Sequence, residues 1–411
     1  MCGEATGGIL DFCTVYRFLD VFPGWLESIV VLDGLASWLA YALAGFFLAF
    51  LVINTVVMAT ALNTWFERRM LARFQARLGP NRWGPYGLLQ PLADVAKLIT
   101  KEDTVPDTAD RPVFNIAPIA FLAPTLLVVA VIPFGENSFL GKLNVGILFI
   151  VGVTSLNTLA IFMGGWASRN KYAMLGAMRG VAMLISYEVP MALAITGVLL
   201  LGGSLALSSI VEAQQVPFLL VQPLGFLVFL AAASAEMSRT PFDQIEAESE
   251  LGAGYHTEYS GMKFAIFQLA EFMAPIITAL ILVTLYLSGA KAVGPIPGQL
   301  MFVGKVVIVV FGMLWVRATW PRLRVDQIMG LAWKGLFGLA LVNLFVVAIE
   351  VEVFRDLNGA VSTQELWVMA GINWMVTAGA LVLFANILGQ RKLRRPEPVS
   401  SPLANMGAEA D

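Results

Sequence analysis

Histidine, cysteine and charged residues are scarce in this chain of 411 residues, and each shortage excludes a class of protein. Haem needs axial ligands and catalytic metals usually need histidine, yet His256 is the only histidine, which disfavours a cytochrome. An iron–sulfur cluster takes four cysteines, whereas Cys2 and Cys13 can only pair in a disulfide or remain two thiols. The phosphate-binding Gly-x-x-x-x-Gly-Lys-Ser/Thr loop is absent, as is a dinucleotide fingerprint between a strand and a helix. We therefore expect no haem, flavin, iron–sulfur cluster or metal in this chain.

Hydrophobic residues make up 58% of the chain and charged residues 13%, with a mean hydropathy of +0.76. Repeated apolar runs of about 20 residues match the thickness of a bilayer and are too long for barrel strands. They predict an all-α polytopic membrane protein with about nine transmembrane helices. The first helix continues to Glu67, so we expect it to be long and tilted. The predicted spans are 35–63, 114–134, 145–165, 180–202, 217–236, 264–288, 301–320, 334–353 and 366–389.

The basic residues predict the orientation of the chain. With the N-terminus outside, the loops after the odd-numbered spans and the C-terminal tail hold all but five of the 26 lysines and arginines. Basic residues collect on the cytoplasmic side, so the C-terminus is predicted to be cytoplasmic. We expect an outside N-terminal extension over 1–32, a transmembrane helical domain with its loops over 33–390, and a disordered cytoplasmic tail over 391–411.

The loop after the first span is basic and includes Arg68 and Arg77. Within residues 88–101, apolar side chains recur on one helical face while Asp94 and Lys97 lie on the other. This pattern predicts an amphipathic helix in the membrane interface, one of the interfacial helices we expect in the cytoplasmic loops. The arginines have an alternative interpretation, because basic residues in such loops also serve only as orientation signals.

A short acidic segment between two apolar spans suggests proton handling, cation handling or a docking surface. The sequence Thr240-Pro241 predicts the start of a helix that would place Asp243, Glu246 and Glu250 on one face. If partly buried, neighbouring carboxylates raise one another's pKa. The alternative is a solvated loop. The charged residues of the segment are Glu236, Arg239, Asp243, Glu246, Glu248, Glu250 and Glu258.

Two glutamates, Glu188 and Glu271, fall within predicted spans. A carboxylate at such depth is a functional candidate, although a hydrogen bond that only packs two helices together is the alternative. Glu350 and Glu352 fall at the outer end of the eighth span and are assigned to the interface. The loop after the seventh span carries Arg322, Arg324 and several tryptophans, which by themselves are typical of interfacial anchoring.

Four long motifs identify a resemblance: GPNRWGPYGLLQPLADVAKLITKED, GWASRNKYAMLGAMRGVAMLISYEVP, SRTPFD followed by EAESEL and EYSG, and LWVRATWPRLRVDQIMGLAWK. They cover all four predicted inside loops and their flanking helices. In this order they resemble the H-subunit family of the proton-pumping NADH:quinone oxidoreductase, respiratory complex I. The mitochondrial counterpart of this bacterial subunit is subunit 1 of the mitochondrial complex. Three positions depart from the family pattern, namely Gln244, Ala247 and His256.

The resemblance implies a translocase component in the bacterial plasma membrane without its own redox centre. It implies menaquinone or ubiquinone as substrate, a quinone cavity, and partners among the peripheral-arm and antiporter-like subunits. By motif position, quinone-cavity or peripheral-arm contacts are expected at Arg68, Arg77, Asp94, Lys97, Arg239, Arg322 and Arg324. Proton-coupling residues are expected at Glu188, Glu236, Asp243, Glu246, Glu248, Glu250, Glu258 and Glu271.

Three alternatives remain at this point. The membrane subunit of an energy-converting hydrogenase has the same layout but uses no quinone. A stand-alone secondary transporter would be expected to show internal repeats and a midplane site, and no repeat is visible in the sequence. A purely structural anchor would leave the buried glutamates unexplained.

Overall fold

The computed structural model describes residues 35–135, 143–245, 252–291, 297–354 and 362–393, without the side chains of 35–44, 48 and 387–393. The predicted extension with Cys2 and Cys13 lies outside this part of the chain, as does the tail after residue 393. Three carboxylates of the acidic segment, Glu246, Glu248 and Glu250, also lie outside it.

The described residues form an all-α structure, as predicted, and eight of its helices are long and apolar enough to cross a membrane. The long helices are α1 (Leu35–Phe74), α3 (Arg111–Val129), α4 (Gly146–Ala167), α5 (Lys171–Gly202), α9 (Gly261–Tyr286), α10 (Gly298–Thr319), α12 (Phe337–Phe354) and α13 (Thr363–Leu393). The shorter ones are α2 (Gln90–Thr100), α6 (Leu207–Ala213), α7 (Phe218–Val221), α8 (Pro223–Glu236) and α11 (Val325–Leu331), which a π-helical turn over Ala332–Leu336 joins to α12.

The predicted span 217–236 is not one continuous helix but is divided into α7 and α8. Proline disfavours the helical conformation of the residue before it, and Gln222 before Pro223 accordingly has φ −131° and ψ 71°. Because hydropathy averages over such a break, the sequence pattern shows nine spans where the described structure has eight long apolar helices and this broken one.

The helix α1 is about 60 Å long, twice the thickness of the hydrocarbon core of a bilayer. It contacts α9 and α10, and about half of its described residues from Gly45 onward are exposed. The core lies elsewhere, where α5 packs against α4, α8 and α12 while α3 packs against α4 and α9. The first helix therefore lies at the periphery of the helical bundle.

Four connecting segments meet at one end of the bundle, which we call the loop end: residues 75–110 with α2, residues 168–170, the described residues 237–245 and 252–260, and residues 320–324. The Asp110 amide donates to the Ala167 carbonyl, and Lys263 forms an ion pair with Asp103 at 2.8 Å. The amide of Leu323 donates to the carbonyl of Pro241. The loop end is the predicted cytoplasmic side, and we call the opposite end the far end.

Of the two helices predicted in the loops, the amphipathic helix over 88–101 is present and the helix starting at Thr240 is not found in the described residues. The amphipathic helix is present as α2, which packs on α1 and α9 and exposes Leu92, Val95 and Ile99. The predicted helix start at Thr240-Pro241 is wrong for the described residues 240–245, which form turns. The side chains of Phe242 and Ile245 are buried there, and Gln244 bonds to the Leu323 carbonyl, so tertiary contacts replace the helical hydrogen bonds.

Candidate functional site

Four charged side chains from four different elements meet in the interior near the loop end. Arg239, in the loop after α8, places Nη1 3.4 Å from Glu67 Oε1 and Nε 3.5 Å from Glu271 Oε1. Arg317 of α10 contacts the same oxygen of Glu67. Glu67 is 3% exposed, Arg239 8% and Glu271 9%. We call these four residues the charged cluster.

The charged cluster balances two arginines against two glutamates, which matters because an uncompensated buried ion costs several kcal/mol. The ring of Phe272 lies 4.6 Å from the guanidinium carbon of Arg239 and adds a cation–π contact. Within the described structure, Glu67 Oε2 and Arg239 Nη2 are nevertheless buried without a hydrogen bond. One acceptor and one donor are therefore open to water or to a ligand.

An enclosed cavity of about 40 Å³ lies beside the charged cluster. Glu271 and Glu236 both line it, together with Thr158 of α4. Thr158 Oγ1 donates to Glu188 Oε1 at 3.4 Å. A cavity of this size holds about one water molecule. The structure thus brings Glu271 and Glu236 to one cavity and connects Glu188 to its wall through Thr158.

An apolar groove of about 710 Å³ lies between α1, α9 and α10, and we call it the α1 groove. Leu280, Phe302 and Val306 line it in its far part, and Phe66 lines it near the loop end. Asn63 also lines it and lies one helical turn before Glu67 on the same face of α1, so this part of the groove is one turn away from the charged cluster. Its lining is almost wholly apolar.

Several predicted contact residues lie at the surface of the loop end rather than in the charged cluster. Arg68 donates to Asp94 at 2.6 Å and Lys97 lies 3.9 Å from the same carboxylate, which joins α1 to α2. The exposed Arg77 bonds to the side chain of Gln75. The structure therefore separates these residues from Arg239, although sequence motifs grouped them. The remaining two, Arg322 and Arg324, are also exposed.

The described remainder of the acidic segment is largely buried against the bundle. Glu258 accepts a 2.6 Å hydrogen bond from Asn170, the residue that caps α5, and Asp243 is half-buried. Burial lowers the pKa of His256 from its ordinary value, opposed by the charge of Glu271. Burial also raises the pKa of Tyr259, whose ring stacks on Phe114 at 4.0 Å. This part of the segment is fixed rather than solvated.

Sequence reasoning missed Glu67 and the direct role of Arg317 in the charged cluster. Glu67 lies at the loop end of the first apolar run, where a charge draws no attention, and Arg317 is one of many basic residues near that end. The residues that connect them, Arg239 after α8 and Glu271 in α9, are distant from Glu67 in the sequence. The one signal in the sequence is that Glu67 is an acid within an otherwise basic stretch, Glu-Arg-Arg.

A family model described as NADH dehydrogenase matches residues 47–348, from α1 into α12. This chain belongs to the NADH dehydrogenase family. A relative from Dehalococcoides mccartyi (strain CBDB1), named as the H subunit of NADH-quinone oxidoreductase, is 48% identical over 341 residues, covering 82% of this chain and 94% of the relative. Proteins of the same name from Geobacillus sp. (strain WCH70) and Bacillus thuringiensis (strain Al Hakam) are 45% and 44% identical over 343 and 337 residues. These matches cover 82% and 81% of this chain and 99% and 97% of those relatives.

Family membership confirms the resemblance derived from the four motifs. The segment that matches the NADH dehydrogenase family contains the whole charged cluster and every lining residue of the cavity and of the α1 groove. The matched residues stop at 348, before the last turn of α12 and all of α13.

Proposed function

We propose that this chain is the H subunit of a bacterial NADH-quinone oxidoreductase, or complex I, and resides in the plasma membrane. In it, the chain forms the access path for menaquinone or ubiquinone, anchors the peripheral redox arm and couples quinone reduction to proton translocation. The names of the relatives support the assignment to this enzyme, and the apolar helices support a location in a membrane. The observation that carries the mechanism is the charged cluster, which lies one helical turn along α1 from the lining of the α1 groove.

The α1 groove suits the chain of a lipid-soluble quinone. Its lining is apolar along the helices, and an isoprenoid chain would replace lipid contacts there at little cost in desolvation. Beyond Phe66 the surroundings become charged, and Arg239 Nη2 is a buried donor without a hydrogen bond in the described structure. A quinone carbonyl oxygen could accept from it, and the same arginine would stabilise negative charge that develops on this oxygen during reduction.

The loop end suits the docking of the peripheral arm. Arg77, Arg322 and Arg324 project from it, and Trp83 and Tyr86 are large exposed aromatic residues in the same region. Exposed arginine and aromatic side chains are enriched at protein interfaces. The surface pair Arg68–Asp94 would hold α2 in place at the edge of this docking surface.

Coupling would pass through Glu271, because this carboxylate belongs both to the charged cluster and to the cavity wall. Negative charge arising near Arg239 would compete with Glu271 for the guanidinium group. Weakening that ion pair favours proton uptake by the carboxylate. The change would then bias Glu236 across the cavity and Glu188 beyond Thr158.

The test compares Glu271→Gln with Glu212→Gln, an exposed glutamate near the far end, in the assembled complex in membranes. We expect Glu271→Gln to retain NADH oxidation by a water-soluble acceptor that takes electrons from the peripheral arm. Proton uptake coupled to quinone reduction should be lost. Normal coupled proton uptake in Glu271→Gln would refute the coupling role, and equal losses in both variants would point to a general defect of assembly.

A further inference from the structure

A second polar cluster lies in the half of the bundle nearer the far end, away from the charged cluster. Its residues are the break residue Gln222, Asn343 and Glu350 of α12, and Asn373 of α13. They are 0%, 1%, 5% and 3% exposed, respectively. Glu350 is thus buried within the protein, whereas Glu352, which the sequence also assigned to the interface, is exposed. We call these four residues the α12 polar cluster.

The cluster consists of two hydrogen-bonded pairs on one face of α12. Asn343 Nδ2 lies 3.5 Å from Gln222 Oε1, and Asn373 Nδ2 donates to Glu350 Oε2 at 2.6 Å. Asn343 and Glu350 are seven residues apart, which puts them on the same face with about 10 Å between them along the axis.

The fold makes room for these amides at two glycines. A Cβ atom at Gly225 would lie 2.8 Å from Asn343 Nδ2, and one at Gly197 would lie 2.9 Å from Gln222 Oε1. The break at Gln222 adds irregular backbone at membrane depth, which occurs where it is buried in protein or lines a polar cavity. Discontinuous helices of this kind mark proton and ion sites in other membrane proteins.

The cluster is not saturated with hydrogen bonds. Glu350 Oε1, Asn343 Oδ1 and Gln222 Nε2 are buried and have no hydrogen-bond partner among the described residues. A glutamate that served only to pack α12 against α13 would be expected to have both oxygens satisfied, because a free buried oxygen is costly in an apolar medium. A proton on Oε1 would remove the negative charge and supply a donor to the site.

No cation compensates Glu350 within the described ranges, where it takes part in no ion pair. The elements packed against α12 are α5, α8 and α13, besides its own leading turn. Along α12 the other ionisable group is the exposed Glu352, and in the leading segment Asp326 and Lys334 lie near the loop end. On α5, α8 and the start of α13 the charged groups are Lys171, Arg179, Glu188, Glu236 and Glu365. Glu188 lies at the middle of α5, the other groups of α5 and α8 lie toward the loop end, and Glu365 accepts from the Ser362 amide.

We propose that the α12 polar cluster is a proton-binding site, at which Glu350 takes up and releases a proton while Asn373 holds the carboxyl group. Glu350 lies about one turn before the end of α12 at Phe354, so the proton exchanges with water at the far end. The site goes beyond the proposed function, since neither the quinone path along α1 nor the coupling route through Glu271 includes any of its residues. Its test requires no quinone turnover.

The test uses a carbodiimide, which reacts with protonated carboxyl groups in apolar surroundings, on the purified complex over a range of pH. Mass spectrometry of the peptides gives the labelled fraction of Glu350 and of the exposed control Glu352. We expect Glu350 to be labelled at neutral pH and to lose reactivity as pH rises, with little labelling of Glu352. In Asn373→Leu the labelling should persist to higher pH, because the ionised carboxyl group loses its donor.

Infrared spectra recorded at low and high pH provide a second measurement that needs no reagent access. The carbonyl band of a protonated carboxylic acid should change with pH in the wild type, and part of that change should be missing in Glu350→Gln but not in Glu352→Gln. Identical difference spectra in the wild type and Glu350→Gln would overturn the proposal. So would protection of Glu350 from the carbodiimide by sodium at constant pH, which would indicate a cation site instead.

Discussion

Glu67 contacts two arginines at once, so its replacement by glutamine leaves Arg239 and Arg317 with Glu271 as the only carboxylate of the charged cluster. Removing one partner of a buried ion pair costs about 3–5 kcal/mol. The side chain of Arg317 is 25% exposed, and water screens part of its charge. We therefore expect the lower end of that range for Glu67→Gln, about 3 kcal/mol, or roughly a hundredfold shift in the unfolding equilibrium.

The assay is a double-mutant cycle of Glu67→Gln and Arg317→Gln, read as the temperature at which the assembled complex is lost on a native gel. Because the double variant removes one charge of each sign, it should be less destabilised than the sum of the single variants, by at least about 1 kcal/mol. Arg68→Gln is the matched control, since it breaks the surface pair with Asp94, which is worth at most about 1 kcal/mol.

Additive losses in this cycle would refute the reasoning, because independent sites add and coupled charges do not. A loss in Arg68→Gln as large as that in Glu67→Gln would also contradict it. In that case the effect would arise from the position at the end of α1 rather than from the buried charges.

Three further predictions concern the groove, the pH dependence and the glycine contacts. Val306→Trp should fill the α1 groove and raise the quinone KM about tenfold or more, whereas Ile308→Trp, on the exposed side of α10, should leave it unchanged in the same steady-state assay. Burial lowers the pKa of His256, so the unfolded chain binds a proton more readily than the folded protein does. The free energy of unfolding should therefore be highest above about pH 6.5 and decrease below it, by at most about 1.4 kcal/mol per pH unit. Replacement by phenylalanine should flatten that part of the thermal stability profile. Gly225→Val should destabilise the protein by about 1–3 kcal/mol through its clash with the amides, and Gly304→Val, which meets open space, should not.

Local patterns in the sequence predicted much of the fold. The long apolar run predicted α1, and the helical repeat of apolar residues over 88–101 predicted α2, because both depend on residues close together in the chain. The break at Gln222 was also encoded locally, by the following proline, but a hydropathy average does not register one residue. The turn at Thr240-Pro241 followed instead from contacts with the loop after α10, which no local pattern contains.

The candidate site was predictable only in part. Arg239, Glu188 and Glu271 could be named because each is a charge in an unusual apolar or acidic setting. Their grouping could not be derived, because Glu67 and Arg239 are 172 residues apart and meet only after four elements have packed. The burial of Glu350 could not be derived either, because it depends on Asn373 of α13, which lies 23 residues later in the chain.

The order in which the charged cluster is synthesised has a consequence for biogenesis. Translation proceeds at about 5–20 residues per second, so α1 emerges with Glu67 roughly 10–35 s before Arg239, which follows 172 residues later. Until then Glu67 has none of its native arginine partners, and it must wait in the interface or carry a proton. The first helix therefore enters the membrane early, but its ion pairs with the rest of the charged cluster form late, after Arg239, Glu271 and finally Arg317 have been synthesised. A translational pause before α10 should accordingly prolong the lifetime of a loosely held first helix.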